Sequence, residues 1–103
     1  MADFIKVAKI IEVPPGKAIA VQVAGKKIGI FNVGGTFYAI DDTCTHEQAS
    51  LSEGQVEGTI VTCPLHAAMF DLTTGENLSP PATIGVNTYD VRIEGDDVMV
   101  RVD

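Results

Sequence analysis

The sequence predicts an all-β sandwich or small barrel. Three observations carry that expectation. Apolar residues recur with a period of two, the spacing of half-buried strands. Glycine- and proline-rich turns interrupt these runs at close intervals. No stretch shows a helical period framed by caps.

The elements follow in order. The first strand reads FIKVAKIIEV (4–13) and is stopped by Pro14-Pro15-Gly16. Ile19, Val21 and Val23 form the apolar face of the second. A turn at Ala24-Gly25-Lys26-Lys27 leads into IGIFNV (28–33), and Gly34-Gly35-Thr36 leads into FYAI (37–40). Between 41 and 85 clean alternation gives way to turn residues. There, QVEGTIVTC (55–63) reads as a hairpin turning near Glu57-Gly58. MFDL (69–72) reads as one strand closed by Thr73-Thr74-Gly75. Tyr89, Val91 and Ile93 alternate with polar residues up to Glu94-Gly95-Asp96-Asp97, and Val98, Val100 and Val102 complete a hairpin. No internal repeat, linker or low-complexity segment is visible.

At 103 residues the chain fits one domain. A domain of this size buries only about 65% of the surface its unfolded chain exposes, so a bound metal would help to staple it. No run is long or apolar enough to span a membrane. The start, MADFIKVAKII, lacks the basic–apolar–small order of a signal peptide. The sequence therefore predicts a cytoplasmic protein, in which cysteines bind metal or do chemistry more often than they form disulfides. The Asn77-Leu78-Ser79 sequon carries no meaning without secretion.

The net charge of −7 argues against nucleic acid, because little here would neutralise phosphates. No Lys or Arg occurs between Lys27 and Arg92, whereas Asp41, Asp42, Glu47, Glu53, Glu57, Asp71, Glu76 and Asp90 lie within that span. Such a surface keeps a small protein dissolved, and it suits docking on a basic partner. Asp41 and Asp42, adjacent at a strand end, are expected to be solvated.

The chemistry is concentrated in two stretches, TCTHEQAS (43–50) and TCPLHAAMF (62–70). They contain every cysteine and histidine of the chain: Cys44, His46, Cys63 and His66. A thiol–disulfide pair would leave both histidines unexplained. A cysteine nucleophile with a histidine base would leave a second pair idle. A metal site uses all four. Two thiolates and two neutral imidazoles suit tetrahedral zinc or an iron–sulfur centre. Common zinc fingers group Cys with Cys and His with His, whereas each loop here offers one of each. That interleaving suits a two-iron cluster clamped between loops, with two cysteines on one iron and two histidines on the other.

The pairing of C-T-H (44–46) with C-P-L-H (63–66) resembles the Rieske [2Fe–2S] signature. LSEG after the first box, MFDLTTGE after the second, SPPA and the terminal hairpin agree with it. Length and order are similar to those of the small Rieske ferredoxins of bacterial oxygenase systems. The resemblance implies a Rieske fold: an antiparallel β-sandwich base with a small cluster-binding subdomain of two loops, spanning approximately 41–81. It implies one [2Fe–2S] cluster ligated by Cys44, His46, Cys63 and His66. The two histidines would leave a ring edge near solvent as the electron exit, and Pro80 and Pro81 would belong to a covering loop.

Respiratory-chain Rieske proteins carry a disulfide at the positions of Ala49 and Leu65, and hydroxyls at those of Ala68 and Phe70. The absence of those hydroxyls here, together with nearby carboxylates, predicts a potential toward the low end of the class, roughly −150 mV. Ala67 and Glu47, beside the two histidines, also depart from the family pattern, and Glu47 is expected to be an ordinary loop carboxylate. The resemblance implies a one-electron carrier and not an enzyme. It would pass electrons from a NAD(P)H-dependent flavoprotein reductase to a terminal oxygenase, typically an aromatic-ring-hydroxylating dioxygenase. Docking would be transient, near His46 and His66, and the carrier monomeric. Other roles in view are the small subunit of a nitrite reductase, a donor to a diiron monooxygenase, and a structural zinc module.

Overall fold

A computed structural model of the chain describes residues 4–44, 49–65, 68–79 and 84–102. Within them the strands are β1 (Phe4–Lys9), β2 (Ala18–Val23), β3 (Lys26–Val33), β4 (Thr36–Asp41), β5 (Gln55–Glu57), β6 (Ile60–Thr62), β7 (Met69–Asp71), β8 (Thr88–Glu94) and β9 (Asp97–Arg101). Six form one antiparallel sheet in the order β1-β9-β8-β4-β3-β2. The other three form a small sheet, β5-β6-β7, set between β4 and β8 in the chain. The expected all-β architecture is thus found, with tight turns at Ala24-Gly25, Gly34-Gly35 and Gly95-Asp96. Ala24 and Gly25 both have positive φ, as a two-residue hairpin turn of this hand requires.

The large sheet curls onto itself. Ala8 of edge strand β1 and Val23 of edge strand β2 belong to one apolar cluster with Ile28, Ile30, Ala39, Val98 and Val100. A second cluster lies on the opposite face of β3 and β4. It joins Phe31 and Ile40 to Leu51, Val61, Phe70, Leu72, Val86 and both cysteines. The β3–β4 hairpin is therefore the wall shared by the first cluster, the base, and the second, the tip. Burial on both faces accounts for the nearly unbroken apolar run IGIF, where a strand exposed on one side would alternate. Asn32, buried in this wall, donates to the Val13 carbonyl at 2.7 Å and accepts from the Gly35 amide at 2.8 Å.

The first strand is shorter than its apolar pattern suggests. Ile10–Glu12 forms a 3-10 turn. The Ile10 amide bonds the Asp96 carbonyl, the Val13 amide bonds the Ile10 carbonyl, and Glu12 accepts from the Lys9 amide at 2.7 Å. These bonds redirect the chain, leaving Ile11 exposed and Val13 fully buried. A second 3-10 turn, Leu51–Glu53, follows the first cysteine loop.

Candidate metal centre

The described residues that flank the two cysteine loops are hydrogen-bonded in the same pattern. In the first, the Cys44 amide bonds the Ala49 carbonyl at 2.9 Å, and in the second the Cys63 amide bonds that of Ala68 at 2.7 Å. One residue further out, Thr43 bridges Ser50, and Thr62 pairs with Met69. One step beyond, the Leu51 amide bonds the Asp42 carbonyl, and Val61 pairs with Phe70. The motif behind both is Thr-Cys, four residues, then Ala. No repeat was expected, yet this short one is written into both loops. Thr62 ends β6, Thr43 follows the end of β4 by two residues, and each alanine begins the return.

Cys44 and Cys63 are buried, at 4% and 2% exposure, and neither is in a disulfide. Both lie in the tip cluster with Leu51, Val61, Ala68 and Phe70. His46 and His66, like Glu47, Ala67, Pro80 and Pro81, lie outside the described residues. The expected quartet is therefore placed as far as its two sulfurs. Two buried thiols, at matching positions of twin hairpins in one apolar cluster, fit the cysteine half of a shared cluster site.

Tight approaches hold the loops in place. A Cβ on Gly54 would stand 2.0 Å from the Thr62 carbonyl oxygen, so bare backbone is required where the first loop meets β6. Gly75 and Val86 meet as closely, and the Val86 amide bonds the Gly75 carbonyl at 2.8 Å. Ser79 Oγ accepts from the Met69 amide at 2.8 Å, tying the segment before Pro80 to the second loop.

Sequence reasoning missed the anchoring role of the two aspartates at the end of β4. Neither is simply solvated. Asp41 accepts from the Tyr89 hydroxyl at 2.5 Å and the Asn87 amide at 3.0 Å. Asp42 is fully buried; it accepts from the Ser52 amide at 2.8 Å and pairs with Lys27 Nζ at 3.3 Å. Asp71 is also engaged: the Thr73 hydroxyl and amide hold its carboxyl below the ordinary value.

An open groove of about 650 Å3 lies elsewhere, lined among others by Lys17, Asn32, Ser52, Gln55 and Glu57. It includes neither cysteine and offers no comparable ligand set. Leu65, beside the second cysteine, is 62% exposed, and Ala68 and Phe70 are buried. No sulfur bridges the positions of Ala49 and Leu65.

The Rieske [2Fe–2S] domain matches residues 3–90. The chain belongs to that family. Its cofactor is one Rieske-type [2Fe–2S] cluster. Among Rieske proteins, the biphenyl dioxygenase ferredoxin subunit of Pseudomonas sp. (strain KKS102) is 46% identical over 98 residues, covering 94% of this chain and 90% of that one. The Sphingomonas yanoikuyae B1 ferredoxin superposes with a TM-score of 0.90 at 31% identity, over 98% of this chain and 100% of that one. A structure described as the complex of reduced oxygenase and oxidised ferredoxin in carbazole 1,9a-dioxygenase matches with a TM-score of 0.87 at 35% identity, over 95% and 92%. A putative nitrite reductase small subunit from Mycobacterium tuberculosis, at 21% identity, TM-score 0.90 and coverage of 100% and 97%, shares the Rieske fold alone.

Proposed function

We propose that this Rieske ferredoxin carries single electrons from a NAD(P)H-dependent flavoprotein reductase to a terminal oxygenase that hydroxylates aromatic rings. The observation that carries the reading is the pair of matched hairpins with buried Cys44 and Cys63. Similarity to ferredoxin components of biphenyl and naphthalene dioxygenases supports the acceptor class. Cys44 and Cys63 would ligate one iron, and His46 and His66 the other. The bound cluster supplies a reversible one-electron couple.

The chain's own residues supply the housing. Residues 41–81 act as the cluster-binding unit on the sandwich base. Leu51, Val61, Phe70 and Leu72 exclude water around the thiolates. Ala68 and Phe70 offer no hydroxyl to a sulfur, which keeps the potential near the low end of the class, roughly −150 mV. A low potential suits a flavin donor. Among the described residues no helix is long and apolar enough to cross a membrane, and we place this carrier in the cytoplasm, acting as a monomer. Docking is transient and near the two histidines, as a carrier that must leave after each transfer requires.

The deciding experiment is an EPR spectrum of anaerobically purified, dithionite-reduced protein, with iron and acid-labile sulfide measured on the same sample. A Rieske signal with equal iron and sulfide is expected. A silent, zinc-loaded protein would reverse the reading.

A further inference from the structure

The twin hairpins differ in one buried place. Two residues before Cys63 stands Val61, fully buried. At the equivalent position before Cys44 stands Asp42, also fully buried. The second loop closes in the same way with an apolar side chain, so the hairpin geometry alone does not require a carboxylate. Burying one is costly unless it is paired and hydrogen-bonded.

The surroundings show how that cost is met. Asp42 Oδ1 accepts from the Ser52 amide, at the 3-10 turn that ends the first ligand loop. Asp42 Oδ2 accepts no well-directed hydrogen bond and faces Lys27 Nζ at 3.3 Å. Lys27 lies across the β3–β4 ladder, where its carbonyl accepts from the Asp42 amide at 3.0 Å. Its ammonium donates to Ser50 Oγ at 2.6 Å, on the returning arm of the same loop. Gly29 leaves the space: a Cβ there would come within 3.0 Å of Asp42 Oδ1.

We propose that the Asp42–Lys27 pair is a positioning and charge-setting element of the redox centre. Asp42 holds the closing arm of the first loop, and Lys27 compensates the buried negative charge beside Cys44. Two residues of chain span at most about 7 Å between Cα atoms, so Asp42 and Cys44 stand side by side at the root of the first loop. A negative charge so near disfavours uptake of an electron. In a poorly polarisable interior its effect exceeds that of a surface carboxylate. Lys27 cancels part of it, and the balance of the two sets the potential. The proposal rests on the assignment of Cys44 as a cluster ligand.

The test is an EPR-monitored redox titration of intact protein at neutral pH, for wild type, Lys27→Gln, Lys27→Arg and Asp42→Asn. Lys27→Gln is expected to move the potential to more negative values with an unchanged EPR line shape, and Lys27→Arg to restore it. Asp42→Asn is expected to move it the opposite way. Lys27 is half-exposed, so Lys27→Gln tests the idea even where Asp42→Asn fails to fold. A Lys27→Gln potential equal to or above that of wild type would overturn the proposal. Loss of the Rieske signal in wild type would instead overturn the ligand assignment.

Discussion

The Tyr89 hydroxyl donates to Asp41 Oδ1 at 2.5 Å and ties β8 to the last residue of β4. Burial, and then the neighbouring carboxylate, push the phenol up to about 12. A raised pKa means that folding favours the neutral phenol. The stabilisation is complete below the unfolded value of about 10 and is lost as pH rises from there through 12. In a tyrosinate absorbance titration, the step missing from Tyr89→Phe is therefore expected near pH 12. The variant should also melt at a lower temperature at neutral pH and lose less stability than wild type on going alkaline.

Cys44→Ser and Cys63→Ser should each abolish the visible spectrum of the purified protein. They should also reduce bound iron and sulfide to background. Ligand binding is folding energy in so small a domain. The melting temperature is expected to fall by at least about 5 °C, equivalent to roughly 1 kcal/mol at this size. His66→Ala is expected to behave alike, and a retained spectrum would remove it from the ligand set.

Gly54→Ala forces a methyl into the Thr62 carbonyl, with backbone on both sides and no flexible side chain to yield. A cost of about 3 kcal/mol is expected, at the upper end of ordinary overpacking. Denaturant unfolding measures it. Iron release under chelator should accelerate in the same variant, because the contact it breaks joins the turn after the first cysteine loop to the β5–β6–β7 sheet.

Electron transfer to the oxygenase should slow as salt is raised, because screening shortens the reach of the acidic surface. Among the described residues, Glu53, Glu57, Glu76 and Asp90 are its exposed members, whereas Asp42 is buried against Lys27 and does not belong to it. Charge reversal at Glu53 should flatten the salt dependence without changing the potential. A rate independent of ionic strength would take the acidic surface out of docking.

The hairpins were legible in the sequence because two forces agree there: alternation sets the faces, and glycine sets the turns. Ile28 to Phe31 defied alternation because tip and base both press on that wall. The Ile10–Glu12 turn was hidden because its apolar residues mimic a strand, while the bond that ends the strand comes from distant Asp96. Cys44 and Cys63 stand out in the sequence because no cysteine or histidine lies outside the two loops. Asp42 was misread because a carboxylate beside another looks like surface. Its compensating Lys27 is distant in sequence and becomes its neighbour only through the β3–β4 ladder.

The Asp41 amide bonds the Asn87 carbonyl at 3.0 Å, so the chain leaves the base and re-enters it through one doorway. The 45 residues between them are an excursion whose two ends already touch. Lengthening such an excursion adds little closure entropy, about 0.6 kcal/mol per doubling. Tips of different length and chemistry can therefore be hung on the same frame. A transplanted tip from a relative needs to match the doorway and the outer face of the β3–β4 wall, and little else of the host.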